Sequence, residues 1–221
     1  DAAASLTVTV TTNNNALFPP ANITVDPSTG GSGVERTITM DAPANQNGTA
    51  LVTVSVTDGS ETVNQQFTAT VTAVNDAPVI SSTAITSATE DASYSYTMTA
   101  SDVDGDALAY SAPTLPSWLS FDTGTHVLSG TPANANVGDH SVTLRVNDGT
   151  VDVDQSFTVT VSNTNDTPVL SAIADPSAVL EDGDNIVVSV SPTDDDADAS
   201  LTVTVTINNN ALFPPANITV D

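Results

Sequence analysis

The chain has no cysteine and no lysine, and its basic side chains are Arg36 and Arg145, with His126 and His140 as the two histidines. Absence of cysteine removes disulfides, iron–sulfur clusters, thiolate zinc sites and thiol nucleophiles together. Absence of lysine removes Schiff-base chemistry and any Lys–Asn isopeptide staple. Twenty-seven acidic residues among 221 leave a formal charge of −25. Nucleic acid and anionic membranes are repelled by such a field, and its natural partners are cations. No apolar run approaches the roughly 18–20 residues of a membrane span, so membrane insertion is not expected.

Aromatic residues are scarce, at 4 %, yet hydrophobic residues make up 39 %. Most are Val, Ile, Leu and Ala in alternation with Thr and Ser. Acidic disordered chains are poor in β-branched residues, and this one is rich in them, so it is read as folded.

Residues 1–26, DAAASLTVTVTTNNNALFPPANITVD, return at 196–221 as DADASLTVTVTINNNALFPPANITVD, with 24 of 26 positions identical. Their offset of 195 residues is too long for a solenoid repeat. It fits two β-domains of ordinary size alternating in type. Two near-copies of a linker, Val74-Asn75-Asp76-Ala77-Pro78-Val79 and Thr164-Asn165-Asp166-Thr167-Pro168-Val169, mark the joints. Asn-Asp ahead of proline turns the chain and holds the preceding residue extended. The expected organisation is a repeat without its opening strands at 1–76, a complete domain at 77–166 and the opening half of a second copy of the first repeat at 167–221. Head-to-tail complementation between chains could follow. The two 26-residue copies would then compete for one place, which favours a window cut from a continuous array.

Period-two alternation predicts strands near 5–12, 22–25, 34–40, 48–57 and 62–73, then 92–100, 106–111, 118–122, 126–130, 138–147 and 151–163. Asp58-Gly59, Asp104-Gly105, Asp122-Thr123-Gly124 and Asn147-Asp148-Gly149 supply the turns. No segment has helical periodicity. The fold class expected is all-β, a linear array of antiparallel sandwiches.

The segment from Tyr110 to Ala133, YSAPTLPSWLSFDTGTHVLSGTPA, continues into SVTLRVNDGT and follows Asp102-Val-Asp104-Gly-Asp106-Ala-Leu. Its DxDGD, LPxWLxF, LSGTP and VNDGT motifs resemble the cadherin-like, dystroglycan-type immunoglobulin-fold repeats of giant, RTX-adhesin-like bacterial surface proteins. The likeness covers essentially all of 77–166. The flanking stretches, with NNNALFPPANITV and RTITMDAPANQNGTALVTVSVTDG, resemble another immunoglobulin-like repeat of the same proteins. The resemblance implies an extracellular, non-enzymatic spacer or filament whose partners are neighbouring repeats and, in a fibre, like chains. A polysaccharide- or cell-binding adhesin module is the alternative, and it would need an exposed aromatic patch.

Carboxylates carry the only chemistry in view. Asp102, Asp104 and Asp106 alternate around Gly105, with Glu90-Asp91 one strand earlier and Asn75-Asp76 in the linker. Two carboxylates about 5 Å apart repel by about 3 kcal/mol at an effective dielectric near 20. Clustering them without a basic partner therefore favours a bound cation or protonation. Hard oxygen donors select Ca²⁺, and the resemblance implies Ca²⁺ at domain junctions. A solvated acidic turn that merely satisfies its own amides is the plainer explanation. The spacing is not that of an EF-hand, since the eleventh residue after Asp102 is Pro113. By the same logic a second site would use Asn165, Asp166, Glu181 and Asp182 with Asp194 and Asp196. Asp152 and Asp154 alternate with valines and suit an exposed sheet face. Trp118, between Pro116 and Phe121, suits a core anchor better than a sugar platform, and the two histidines form no triad or zinc motif.

Overall fold

The computed structural model describes residues 5–179, 186–196, 200–207 and positions 212, 215 and 220. Its strands are β1 Leu6–Thr12, β2 Ile23–Asp26, β3 Thr29–Gly30, β4 Thr37–Met40, β5 Gly48–Thr57, β6 Thr62–Val71, β7 Val79–Ile80, β8 Ser87–Thr89 and β9 Tyr94–Thr97. They continue as β10 Ala100–Ser101, β11 Ala109–Thr114, β12 Leu119–Asp122, β13 Val127–Gly130, β14 Gly138–Asn147, β15 Asp152–Ser162, β16 Val169–Leu170 and β17 Pro192–Thr193. Complete helical elements are the single 3-10 turns Pro20–Asn22 and Asn134–Asn136. The described chain is all-β.

Two compact units are present, one of residues 1–79 with 100–109 and 147–153, the other of 80–99, 110–146 and 154–221. In the first, β3, β1, β5 and β6 form one sheet in that order, and β2 pairs with β4. The long β5–β6 hairpin closes on Asp58, whose carboxylate accepts the N–H groups of Ser60 (2.9 Å) and Glu61 (2.8 Å). The residue between, Gly59, takes a φ of +93° that this tight turn demands and glycine supplies. After β1, the Asn14 side chain accepts the Leu17 N–H (3.1 Å) and folds the chain back. Leu17 and Phe18 then drop beside Ala50 into a small core, packed by Ile23, Met40, Ala42, Ala69 and Val71.

The second unit is a sandwich. One sheet runs β11-β14-β15-β8 and the other β12-β13-β9. Alternation aims Val142, Leu144 and Val146 of β14 and Val159 and Val161 of β15 inward, all at most 2 % exposed. Opposite them lie Tyr94 and Tyr96 of β9, Leu119 of β12 and Leu128 of β13. Tyr96 meets Phe157 of β15 edge-on at 5.9 Å across the core.

The structure corrects several local expectations. The run predicted at 92–100 breaks into β9 and β10, because the Met98 N–H pairs with the His126 carbonyl while the Thr99 carbonyl accepts from Ser81 and Ser82. The strand expected at 106–111 lies at 109–114 and contains Pro113. β11 is an edge strand, where a missing N–H costs no ladder bond. Not every pairing is antiparallel: β8 runs parallel to β15, with Ser87, Ala88 and Thr89 opposite Thr160, Val161 and Ser162. Trp118 is half-buried and packs edge-on against Tyr94 and His140, each at 5.8 Å, as a core-margin anchor.

Candidate metal centre

Two acidic clusters emerge among the described residues, one in each unit. In the first, the carboxylates of Asp102, Asp104 and Asp106 have oxygens within 4.8 Å of one another. The turn is self-templated: the Asp102 Oδ1 accepts the N–H of Asp104 (2.8 Å) and, more loosely, of Asp106 (3.4 Å). Gly105 at φ +81° allows the reversal between them. Its other oxygen, Asp102 Oδ2, is buried and accepts no hydrogen bond. The linker docks here through the Asp76 N–H, which donates to Asp104 Oδ2 at 2.7 Å. Asn75 donates through Nδ2 to its neighbour's carbonyl (3.1 Å) and to Asp148 Oδ2 (3.0 Å).

The second cluster groups Glu90, Asp91 and Asp166, again with oxygens within 4.8 Å. Glu90 is only 2 % exposed, and its Oε2 accepts the Thr164 N–H at 3.2 Å. Asp91 turns beside it in a left-handed conformation, φ +56°, with its N–H on the Pro132 carbonyl. The first cluster's linker geometry recurs. The Asp166 N–H donates to Asp196 Oδ2 (2.8 Å), the Asp196 N–H to Asp194 Oδ1 (3.0 Å), and Asn165 Nδ2 to the Asp166 carbonyl (2.8 Å). Asn163 Nδ2 secures the other Asp196 oxygen at 2.7 Å.

The electrostatics of the second cluster are those of like charges held close together. Partial burial, reinforced by the charges of Asp195, Asp91, Glu90 and Asp196, holds the Asp166 carboxyl above its ordinary range. The side chain of Asn163 and the backbone N–H of Asp166 hold Asp196 below it. In the first unit, Asn75 and then the amides of Val151 and Thr150 lower Asp148. Both guanidinium groups are engaged elsewhere. Arg36 donates to the carbonyls of Val34, Leu6 and Gly30, while Arg145 forks onto Asp154 at 2.6 and 2.9 Å.

The donor set fits Ca²⁺. Oxygens each about 2.4 Å from one ion lie no more than about 4.8 Å apart, and carboxylate, amide and backbone oxygens are the hard ligands that this ion takes six to eight at a time. Asp102 Oδ2, buried without a hydrogen bond, fits a ligand for such an ion.

Against the sequence expectation, the grouping changes. The sequence expectation groups Glu90 and Asp91 with the turn that follows them; the structure brings them to Asp166 of the next linker. Asp196 is hydrogen-bonded to Asp166 and Asp194 to Asp196, while Glu181 and Asp182 lie outside the described residues. The sequence expectation gives no site role to Asp148, Asn163 or Thr164. Asp148 looked like an ordinary Asp-Gly turn residue, and only the β14–β15 hairpin carries it to Asn75. Asp152 and Asp154 are exposed, with Asp152 accepting from Asn147 Nδ2 at 2.7 Å and Asp154 held by Arg145.

Residues 77–162 match the family described as "Putative Ig domain" (He_PIG). No curated protein matches the chain. Among solved structures, an endo-fucoidan hydrolase of glycoside hydrolase family 107 aligns at 24 % identity and a TM-score of 0.36, over 71 % of this chain and 24 % of that one. Human protocadherin-24 EC1-2 aligns at 20 % identity and a TM-score of 0.42, over 72 % of this chain and 82 % of that one. Human mucin-like protocadherin EC1-2 gives 14 % identity and a TM-score of 0.43, over 72 % and 85 %. The chain spans about a quarter of the length of the fucoidan hydrolases it matches.

Proposed function

We propose that this chain is a non-enzymatic structural extender from a large extracellular bacterial surface protein, built of tandem immunoglobulin-like repeats at 1–76, 77–166 and 167–221. It supports adhesion or a fibre by holding other parts of the protein away from the cell. Ca²⁺ at the two linkers stiffens the array.

The recurrence of one device carries this reading. In both linkers an Asn-Asp-x-Pro turn aims the aspartate N–H at the last carboxylate of an Asp-x-Asp turn, at 2.7 Å for Asp76 and 2.8 Å for Asp166. Each linker is thereby fastened to the opening strands of the domain it leads into, and acidic side chains gather around it. Without a cation those charges oppose one another and the linker flexes. A divalent ion replaces repulsion with shared ligands, Asp76, Asp102, Asp104 and Asp106 at one linker and Glu90, Asp91, Asp166 and Asp196 at the other.

Small-angle scattering of the full chain tests it. The maximum dimension and the rigidity should rise in millimolar CaCl₂ and fall when a chelator is added. Superimposable profiles in the two conditions would remove calcium from the account.

A further inference from the structure

The segment 77–166 has chain on both sides of it, so tension along the protein enters through the Asn75-Asp76 linker and leaves through Asn165-Asp166. In its four-stranded sheet the first strand in sequence, β8, lies against the last, β15. The two are parallel, with Ser87, Ala88 and Thr89 opposite Thr160, Val161 and Ser162. Tension draws β8 by its N-terminal end and β15 by its C-terminal end. Parallel neighbours drawn in this way slide past each other, and every hydrogen bond between them is strained at once. Strands drawn apart from a shared end would instead lose those bonds one at a time.

The contact extends beyond these three residue pairs. The Thr160 N–H donates to the Thr86 carbonyl and the Glu90 N–H to the Ser162 carbonyl, each at 2.9 Å. Past one end, the Thr164 N–H donates to Glu90 Oε2 at 3.2 Å. Past the other, Gln155 of β15 reaches across, its Nε2 donating to the Ser82 carbonyl at 2.9 Å. Its Oε1 accepts the Tyr96 hydroxyl at 2.7 Å, and the same hydroxyl lies 2.7 Å from Ser82 Oγ. Tyr96 is 4 % exposed and Phe157 packs edge-on against it, so this junction is shielded on its core side. No covalent staple shares the load, because the chain has no cysteine for a disulfide and no lysine for a Lys–Asn cross-link.

We propose that β8, β15 and the Ser82–Tyr96–Gln155 junction form a shear clamp, which makes this domain an element that resists tension. Unfolding under force waits on rupture of the clamp. Gln155 holds the chain ahead of β8, where tension arrives first, and the backbone bonds from Thr86 to Glu90 share what passes it. The proposal takes the source of the tension from the extender reading, and the place where tension is resisted from strand geometry alone. It does not depend on calcium.

Single-molecule force spectroscopy of the full chain in chelator tests it, since forced unfolding reads the unfolding rate directly. Held by its two termini, the chain loads β8 against β15 in shear. Release of residues 80–162 then lengthens it by on the order of 250 Å, at about 3.5 Å per residue less the folded span, which identifies the event. Ala92→Cys places the chain's single thiol on an exposed residue just past β8. Pulling between that thiol and the C-terminus draws apart the C-terminal ends of β8 and β15, so their bonds open in turn. At equal force the domain should survive at least tenfold longer in shear than in this opening geometry. Gln155→Leu should shorten the lifetime in shear at least threefold and leave the opening lifetime unchanged, because that rupture starts at the Glu90 end. A general loss of stability would shorten both. Equal lifetimes in the two geometries, or a Gln155→Leu variant that loses nothing in shear or loses as much in both, would overturn the proposal.

Discussion

Replacing Glu90 by glutamine should stabilise the metal-free protein and blunt its response to calcium. The glutamine side-chain oxygen can still accept the Thr164 N–H that Glu90 accepts at 3.2 Å, so the packing of this 2 %-exposed side chain is kept and only the charge is lost. Its oxygens lie within 4.8 Å of those of Asp91 and Asp166. Unit charges at that separation repel by about 1 kcal/mol in water and about 3 kcal/mol at an effective dielectric near 20. Asp91 is exposed, so screening favours the lower figure. About 1 kcal/mol raises Tm by about 4–8 °C in a domain of this size. Calcium reverses the advantage. At about 10 mM, a site with Kd near 10⁻⁴ M stabilises the wild type by about 2.7 kcal/mol. A tenfold weaker site in the variant retains about 1.4 kcal/mol of this. Scanning calorimetry of both proteins in chelator and in CaCl₂ gives all four values. Equal calcium increments, or a variant less stable than the wild type in chelator, would refute the reasoning.

Two further predictions come from the sandwich itself. Gly130 of the LSGTP motif lies where a Cβ would collide with the Trp118 carbonyl group, so Gly130→Ala should cost about 1–3 kcal/mol by urea denaturation; an unchanged midpoint would mean that Trp118 moves freely. The Asp122 carboxylate is held below its ordinary range by the Thr125 and Gly124 amides. A folded value below the unfolded one stabilises above the ordinary carboxylate pKa and is lost as pH falls through the lowered value. The stability difference between wild type and Asp122→Asn should therefore be greatest near neutrality and vanish once the pH has fallen below the lowered value, and a pH-independent difference would show the charge to be irrelevant.

β5, β14 and β15 were legible in the sequence because each is a long half-buried strand, and in such strands alternation is imposed by burial of one face; β6, mostly exposed, was legible from its long β-branched run beside the Asp58-Gly59 turn. Turns such as Asp58-Gly59 and Asp122-Thr123-Gly124 were legible for a similar reason: aspartate caps amides two and three residues on, a purely local bond. Shorter pieces were not. β8 has three residues and no pattern of its own, and it is a strand because β15 offers an edge at that height.

The acidic residues divide along the same line. Their number, the lack of lysine and the Asp102-Val103-Asp104-Gly105-Asp106 turn are local facts, and the sequence determined them by itself. Which carboxylates share a cluster was decided by tertiary structure. Glu90 and Asp91 close on Asp166, about 75 residues away in sequence, because the Glu90 N–H pairs with Ser162 at the end of β15 and so sets the opening strand beside the chain's exit. Spacing along a chain reports neighbours within a turn, whereas strand pairing brings together residues whose separation in sequence carries no signal.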